Sequence, residues 1–147
     1  MKIKSLTFVI LISILLIILS CIFLFICDGS GNNIFKRVVL NPMPKSVVVI
    51  HTADETFPFG DPIWLYFKIS PDDLNLILAS TKWEIDSDSF DANSPFSKSL
   101  GWWKPESLGD NIIKYRAVID SDGHERVQEM WTNSEKNEVY YRVTFVY

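Results

Sequence analysis

The sequence predicts an α+β protein in which an N-terminal transmembrane helix precedes a small antiparallel β-sheet domain with one short helix. Three observations lead there. Leu6 to Cys27 is a run of 22 residues without a charge. The 120 residues after it alternate apolar and polar positions between clusters of turn-forming residues. Only Ser70 to Thr81 combines helix-start chemistry with apolar residues spaced three and four apart.

The first element, residues 1–27, reads as a membrane anchor. Lys2 and Lys4 provide a positive flank, and 22 helical residues rise about 33 Å, close to the roughly 30 Å hydrocarbon core of a bilayer. The bilayer is therefore an expected partner through residues 6–27. A cleaved secretory signal usually has a shorter apolar core. The rival reading is a lipoprotein signal, because Ile18-Leu19-Ser20-Cys21 is similar to a bacterial lipobox, with Cys21 as the lipidation site. With Asp28 following the span, the expected topology is a cytoplasmic N-terminus and an extracytoplasmic C-terminal domain in the cell membrane. Both cysteines, Cys21 and Cys27, lie in this block.

Residues 28–45 read as a linker, from the glycines of Asp28 to Asn33 and the prolines of Asn41-Pro42-Met43-Pro44. The extracytoplasmic domain then covers 46–147. Val47 to Ile50 is β-branched and apolar, a strand that His51 ends; Asp54 to Pro62 is a loop. Ile63 to Ile69 alternates, with Ile63, Leu65, Phe67 and Ile69 on one face and Trp64, Tyr66 and Lys68 on the other. Ser70-Pro71-Asp72-Asp73 supplies a capping hydroxyl, a proline where its missing N–H costs nothing, and carboxylates near the positive end of the helix dipole. Leu74, Ile77 and Leu78 form that helix's apolar face. Lys82 to Asp86 is a further strand, followed by a polar loop to Lys98. From Asn111 the pattern is β to the end: Ile113 to Ile119 alternates, Asp120 to Gly123 turns the chain, Glu125 to Trp131 returns it, and a turn at Thr132 to Asn137 leads into a last strand with Val139, Tyr141, Val143 and Phe145 on one face.

Composition excludes several functions. Residues 28–147 carry 12 basic and 18 acidic residues, a net charge of 12 − 18 = −6, with no basic stripe for nucleic acid. Seventeen aromatic residues in that stretch demand a packed fold rather than disorder. The loop Asp86-Ser87-Asp88-Ser89-Phe90-Asp91 begins like a calcium loop, but Phe90 replaces a ligand, glycine is missing from the sixth position, and the twelfth is Ser97. His51 and His124 have no histidine or cysteine at metal-ligand spacing, so no metal or cofactor is expected. Nucleophile-elbow and phosphate-cradling glycine motifs are absent as well.

The aromatic residues are the most distinctive chemistry. Trp64 and Tyr66 share the outer face of one strand, Trp102-Trp103 precedes Lys104-Pro105, and Tyr140 lies beside Tyr141. If they meet on one surface they form an amphipathic platform for a peptide, glycan or protein, since indole and phenol rings combine large area with a polar edge. The competing reading is that the short helix or the long loop covers that face and the rings are core. The platform reading requires Trp64 and Tyr66 to be more accessible than Leu65 and Phe67.

Ile69-Ser70-Pro71-Asp72-Asp73-Leu74, Trp102-Trp103-Lys104-Pro105 and the hairpin from Trp131 to Val139-Tyr140-Tyr141 together resemble a group of small bacterial membrane-anchored or lipoprotein-like proteins, over about residues 46–147. The resemblance implies an exterior α+β domain and carries no catalytic residues. The functional expectation is a noncatalytic domain that binds a protein or cell-envelope ligand. The alternatives are an immunity or inhibitor protein that neutralises a basic toxin or hydrolase, and an envelope hydrolase with residues gathered from several strands.

Overall fold

The computed structural model describes residues 12–17, 30–54, 62–86, 100–121 and 124–146. Six strands form one antiparallel sheet: β1 (Val48–Asp54), β2 (Ile63–Lys68), β3 (Glu84–Ile85), β4 (Ile113–Ser121), β5 (His124–Thr132) and β6 (Glu138–Val146). Their spatial order is β1-β2-β6-β5-β4-β3, so the last strand inserts between β2 and β5. Besides the helical residues 12–17, two helices, α1 (Gly31–Val38) and α2 (Pro71–Ser80), and a 3-10 turn at Pro105–Leu108 complete the described elements.

The expected transmembrane helix and the α+β class built on it are corrected here. Among the described residues no helix is long and apolar enough to cross a membrane. Of the span 6–27, only 12–17 are described; they are helical and exposed. The rest of that span, including Cys21, lies outside the described residues. Apolar composition over 22 positions met the length requirement in sequence, a requirement that no described helix meets. The sheet dominates what is described, and the helices that accompany it number two rather than one.

The second helix falls where a linker was expected. Ser30 caps α1 by accepting from the Asn33 N–H at 3.4 Å, and Lys36 and Arg37 sit in its last turn, where cations favour the negative end of the dipole. Ile34 and Phe35 turn inward; the Phe35 ring meets Phe67 edge-on at 5.1 Å. Gly31 is required by proximity, because a Cβ there would lie 2.8 Å from Val49 Cγ1. The Tyr141 hydroxyl donates to the Val38 carbonyl at 2.7 Å, closing one of the carbonyls a helix end leaves open. Arg37 pairs with Asp54 at the far end of β1. Three apolar residues in eight, Ile34, Phe35 and Val38, are too short a pattern to read as a helix on their own, so tertiary packing decides this helix.

α2 matches its sequence signals. The Ser70 hydroxyl accepts from the Asp73 N–H at 3.3 Å, Leu74 and Ile77 are buried, and the helix stops at Ser80. Ser46 anchors its start: its hydroxyl donates to Asp73 at 2.5 Å and accepts from the Ser70 N–H at 2.9 Å. Both helices contribute to one core with Leu65, Phe67, Met130, Tyr141 and Val143 on the first face of the sheet. The β5–β6 turn is held by Asn133, whose side-chain oxygen accepts from the N–H groups of Asn137 and Glu138 at 3.0 and 3.3 Å, with Lys136 in the left-handed region at φ 56°. The alternation expected for β2, β4 and β6 holds.

Two predictions follow from the packing of α1. Phe35→Ala should cost about 3–5 kcal/mol of unfolding free energy, through lost transfer energy and a cavity, whereas Lys36→Ala on the exposed side should cost under about 0.5 kcal/mol; urea titrations of both variants check this. Burial raises the Tyr141 phenol well above its ordinary value. The unfolded phenol ionises near pH 10 while the folded one keeps its proton, so this stability is complete below about pH 10 and falls as pH rises above it. Melting curves from pH 8 to 11 should show a shallower alkaline decline for Tyr141→Phe, which at pH 8 loses about 0.5–1.5 kcal/mol with its hydrogen bond.

Candidate aromatic binding surface

The second face of the sheet gathers the aromatic residues. Alternation along β2 points Trp64 and Tyr66 to this side, and register sets Tyr66 against Tyr140 and Trp64 against Arg142 on β6. On β5, Trp131 lies opposite Tyr140. The strand β1 contributes through a bulge. Val49 pairs with Phe67 and His51 with Tyr66, leaving Ile50 as the extra residue. Two positions apart on a regular strand, Val49 and His51 would share a face; the bulge sends Val49 to the helical core and His51 to the aromatic side.

The segment 100–112 covers the middle of this face. A turn in which the Trp103 N–H donates to the Leu100 carbonyl at 2.9 Å drives Trp103 inward. Its ring stands edge-on to Trp64 at 4.6 Å, to Trp131 at 5.5 Å and to Tyr140 at 5.3 Å. Leu108 and Ile112 pack around this cluster. The indole N–H groups of Trp64 and Trp103 have no conventional acceptor among the described residues. Edge-on packing surrounds them with ring faces, which are weak acceptors, so part of the desolvation cost stays unmet.

Toward β1 the cover ends and flat ring contacts take over. Trp102 stacks on His51 at 5.2 Å and 23°, His51 on Tyr66 at 6.2 Å and 21°, and Tyr66 on Tyr140 at 4.4 Å and 17°. His51 is exposed, while Tyr66 and Trp102 are half-buried. The Tyr66 hydroxyl donates to Glu138 at 3.3 Å, and Lys68 pairs with the same carboxylate at 3.0 Å. Burial first, then the Glu138 charge, raises the Tyr66 phenol, so it remains a neutral donor at physiological pH. The hydrogen bond and charge of Glu138 likewise raise Lys68.

Of the four candidate residues, Trp64 is 0% exposed and Trp103 6%, so these two are core, whereas Tyr66 and Trp102 reach the surface. The expectation that Trp64 and Tyr66 are more accessible than Leu65 and Phe67 holds for Tyr66 and is corrected for Trp64. The segment 100–112, rather than the short helix, accounts for its burial. His51 completes the stack without having been singled out for it, and Tyr140, which the sequence places in the aromatic set beside Tyr141, joins it as well. Cross-strand register brings them in, and the bulge that turns His51 has no sequence mark such as glycine.

Beside the cluster runs a chain of four alternating charges. Lys114 pairs with Asp86 at 2.7 Å and with Glu129 at 3.5 Å, and Arg142 donates from Nε to Glu129 at 2.7 Å. Their side chains are only 12–14% exposed. The Arg142 guanidinium also lies 5.3 and 5.4 Å from the ring centres of Trp64 and Trp131. Among the described residues no group of three or more His, Cys, Asp and Glu could hold a metal ion. Residues 87–91 of the calcium-like loop lie outside those described, as does the His124 side chain.

No family model, curated protein or solved structure matches the chain. No match therefore bears on the resemblance to small membrane-anchored proteins.

Removing the carboxylate shared by two cations should destabilise strongly. Glu129→Ala leaves Arg142 without its partner and Lys114 with Asp86 alone, an expected loss of about 3–5 kcal/mol by denaturant titration. Glu129→Gln, which keeps a hydrogen-bond acceptor, should lose less.

Proposed function

We propose that this chain carries a noncatalytic β-sheet domain that binds a protein or cell-envelope ligand on the surface formed by His51, Tyr66 and Trp102. One observation carries the reading: three stacked rings at the border between a packed aromatic core and solvent, with exposed Val48 beside them on β1. Rings fixed by their neighbours lose little conformational freedom on binding, and each keeps a polar edge for orientation. The packed cluster beneath them, centred on Trp103, holds the segment that carries Trp102 against the sheet.

The net charge of −6 over residues 28–147 favours a second reading, an immunity or inhibitor protein that captures a basic toxin or hydrolase. Charge complementarity of that kind acts mostly on the association rate and weakens with salt.

Binding of the full chain to cell-wall polymer fragments and to a panel of cationic proteins tests both. Trp102→Ala should weaken whichever interaction is found by at least about tenfold, with little change in melting temperature because the ring is only half-buried. Equal binding by wild type, Trp102→Ala and Tyr66→Ala would remove the aromatic surface from the account. A steep fall of association rate with salt would favour the basic partner; a salt-independent interaction would favour a neutral envelope ligand.

A further inference from the structure

At the edge of the sheet opposite β1, one strand is half uncovered among the described residues. β4 runs nine residues, whereas β3, its outer neighbour, has two, pairing Glu84 with Arg116 and Ile85 with Tyr115. The Asp86 N–H donates to the Lys114 carbonyl at 2.9 Å. That bond fixes the phase of the ladder: backbone groups facing one side recur every second residue, so Lys114, Arg116, Val118 and Asp120 face outward. The chain of β3 and Asp86 reaches the first two. Beside Val118 and Asp120 there is no strand among the described residues.

A cleft of about 480 Å³ opens at this point, between Lys82, Glu84, Ile85 and Asp86 on one side and Arg116, Ala117 and Val118 on the other. It offers apolar surface, since Val118 is 54% and Ile85 71% exposed. It also carries two cations, Lys82 and Arg116, beside the carboxylates of Glu84 and Asp86, the latter paired with Lys114. Arg116 stands between Glu129, whose carboxylate is held by Arg142 and Lys114, and Glu84, which shares a solvent-exposed pair with Lys82 at 3.7 Å. Arg116 itself has no ion pair among the described residues. The Lys82–Glu84 pair is 91% and 74% exposed, so Lys82 is readily recruited by another anion.

We propose that this edge receives the C-terminal tail of a partner polypeptide as an added antiparallel strand, with its terminal carboxylate held by Arg116 and Lys82. Direction follows from the geometry. An antiparallel strand beside β4 runs the same way as β3, passing Asp120 before Val118, and the body of β3 stops it at Arg116. The end that meets the two cations is the C-terminus; a parallel strand would bring its ammonium there instead. Main-chain bonds to Val118 and Asp120 supply affinity, the cations select a free carboxylate, and Val118 selects an apolar or β-branched side chain opposite it. The competing account is that Arg116 and Asp120 flank Val118 as charges guarding an edge against pairing. That account predicts no carboxylate-dependent binding. The site is separate from the aromatic surface, so the two proposals fail independently.

The test uses the full chain against an array of random hexapeptides displayed with free C-terminal carboxylates. The tightest binder is then measured by fluorescence anisotropy in its acid and C-terminal amide forms. The expected result is a Kd below about 100 µM for the acid, at least tenfold weaker binding after amidation or with Arg116→Glu, and unchanged binding with Trp102→Ala. Val118→Pro, which deletes an outward N–H on an edge strand, should abolish binding while circular dichroism reports an intact sheet. Absence of any carboxylate-bearing binder, equal affinity for acid and amide, or full binding by Arg116→Glu would overturn the proposal.

Discussion

The pairing of β2 with β6 is the constraint on which the rest of the structure depends. It joins residues more than seventy positions apart, Leu65 to Tyr141 and Trp64 to Arg142, and unites the first half of the chain with the C-terminal meander. Both faces of the sheet are set by it at once. On the first, Leu65 and Tyr141 meet the helices; on the second, Trp64 and Tyr66 meet Arg142 and Tyr140. A slip of one residue would exchange these sets, putting Arg142 among the aliphatic side chains and Tyr141 among the charges. Because both sides are buried, such a slip is penalised twice.

The second face divides into regions with different physics. Around Trp103 the rings are dry and edge-on, which fixes the segment that crosses the sheet. Toward β5 and β4 the four alternating charges form a nearly buried chain in which every charge has an opposite neighbour. Toward β1 the rings become parallel and half-open. A stiff interior, a charged strip that disfavours other registers, and an accessible rim are thus built from adjacent rows of the same strands.

Much of the sheet was legible in the sequence because its signals are local. The cap at Ser70, the alternation from Ile63 to Ile69 and the turn at Asn133 are each contained within a few residues, and each structure follows its signal. What escaped depends on distant partners. Helix α1 owes its existence to Phe67 and Val49, which the stretch from Gly31 to Val38 cannot reveal by itself. The burial of Trp64 depends on a segment some forty residues later. His51 reaches the aromatic face through a bulge in a strand of ordinary β-branched residues. The uncharged run at the N-terminus has the length and hydropathy of a span, yet among the described residues no helix is long and apolar enough to cross a membrane.

The alternating charges also decide where the acidity of the chain is felt. Asp86, Lys114, Glu129 and Arg142 sum to zero and are screened from solvent by the rings beside them, so ions in the medium have little access to them. The surplus of negative charge therefore resides on the hydrated exterior. Ionic strength acts on how this molecule meets others, while its internal framework stays largely indifferent to the salt around it.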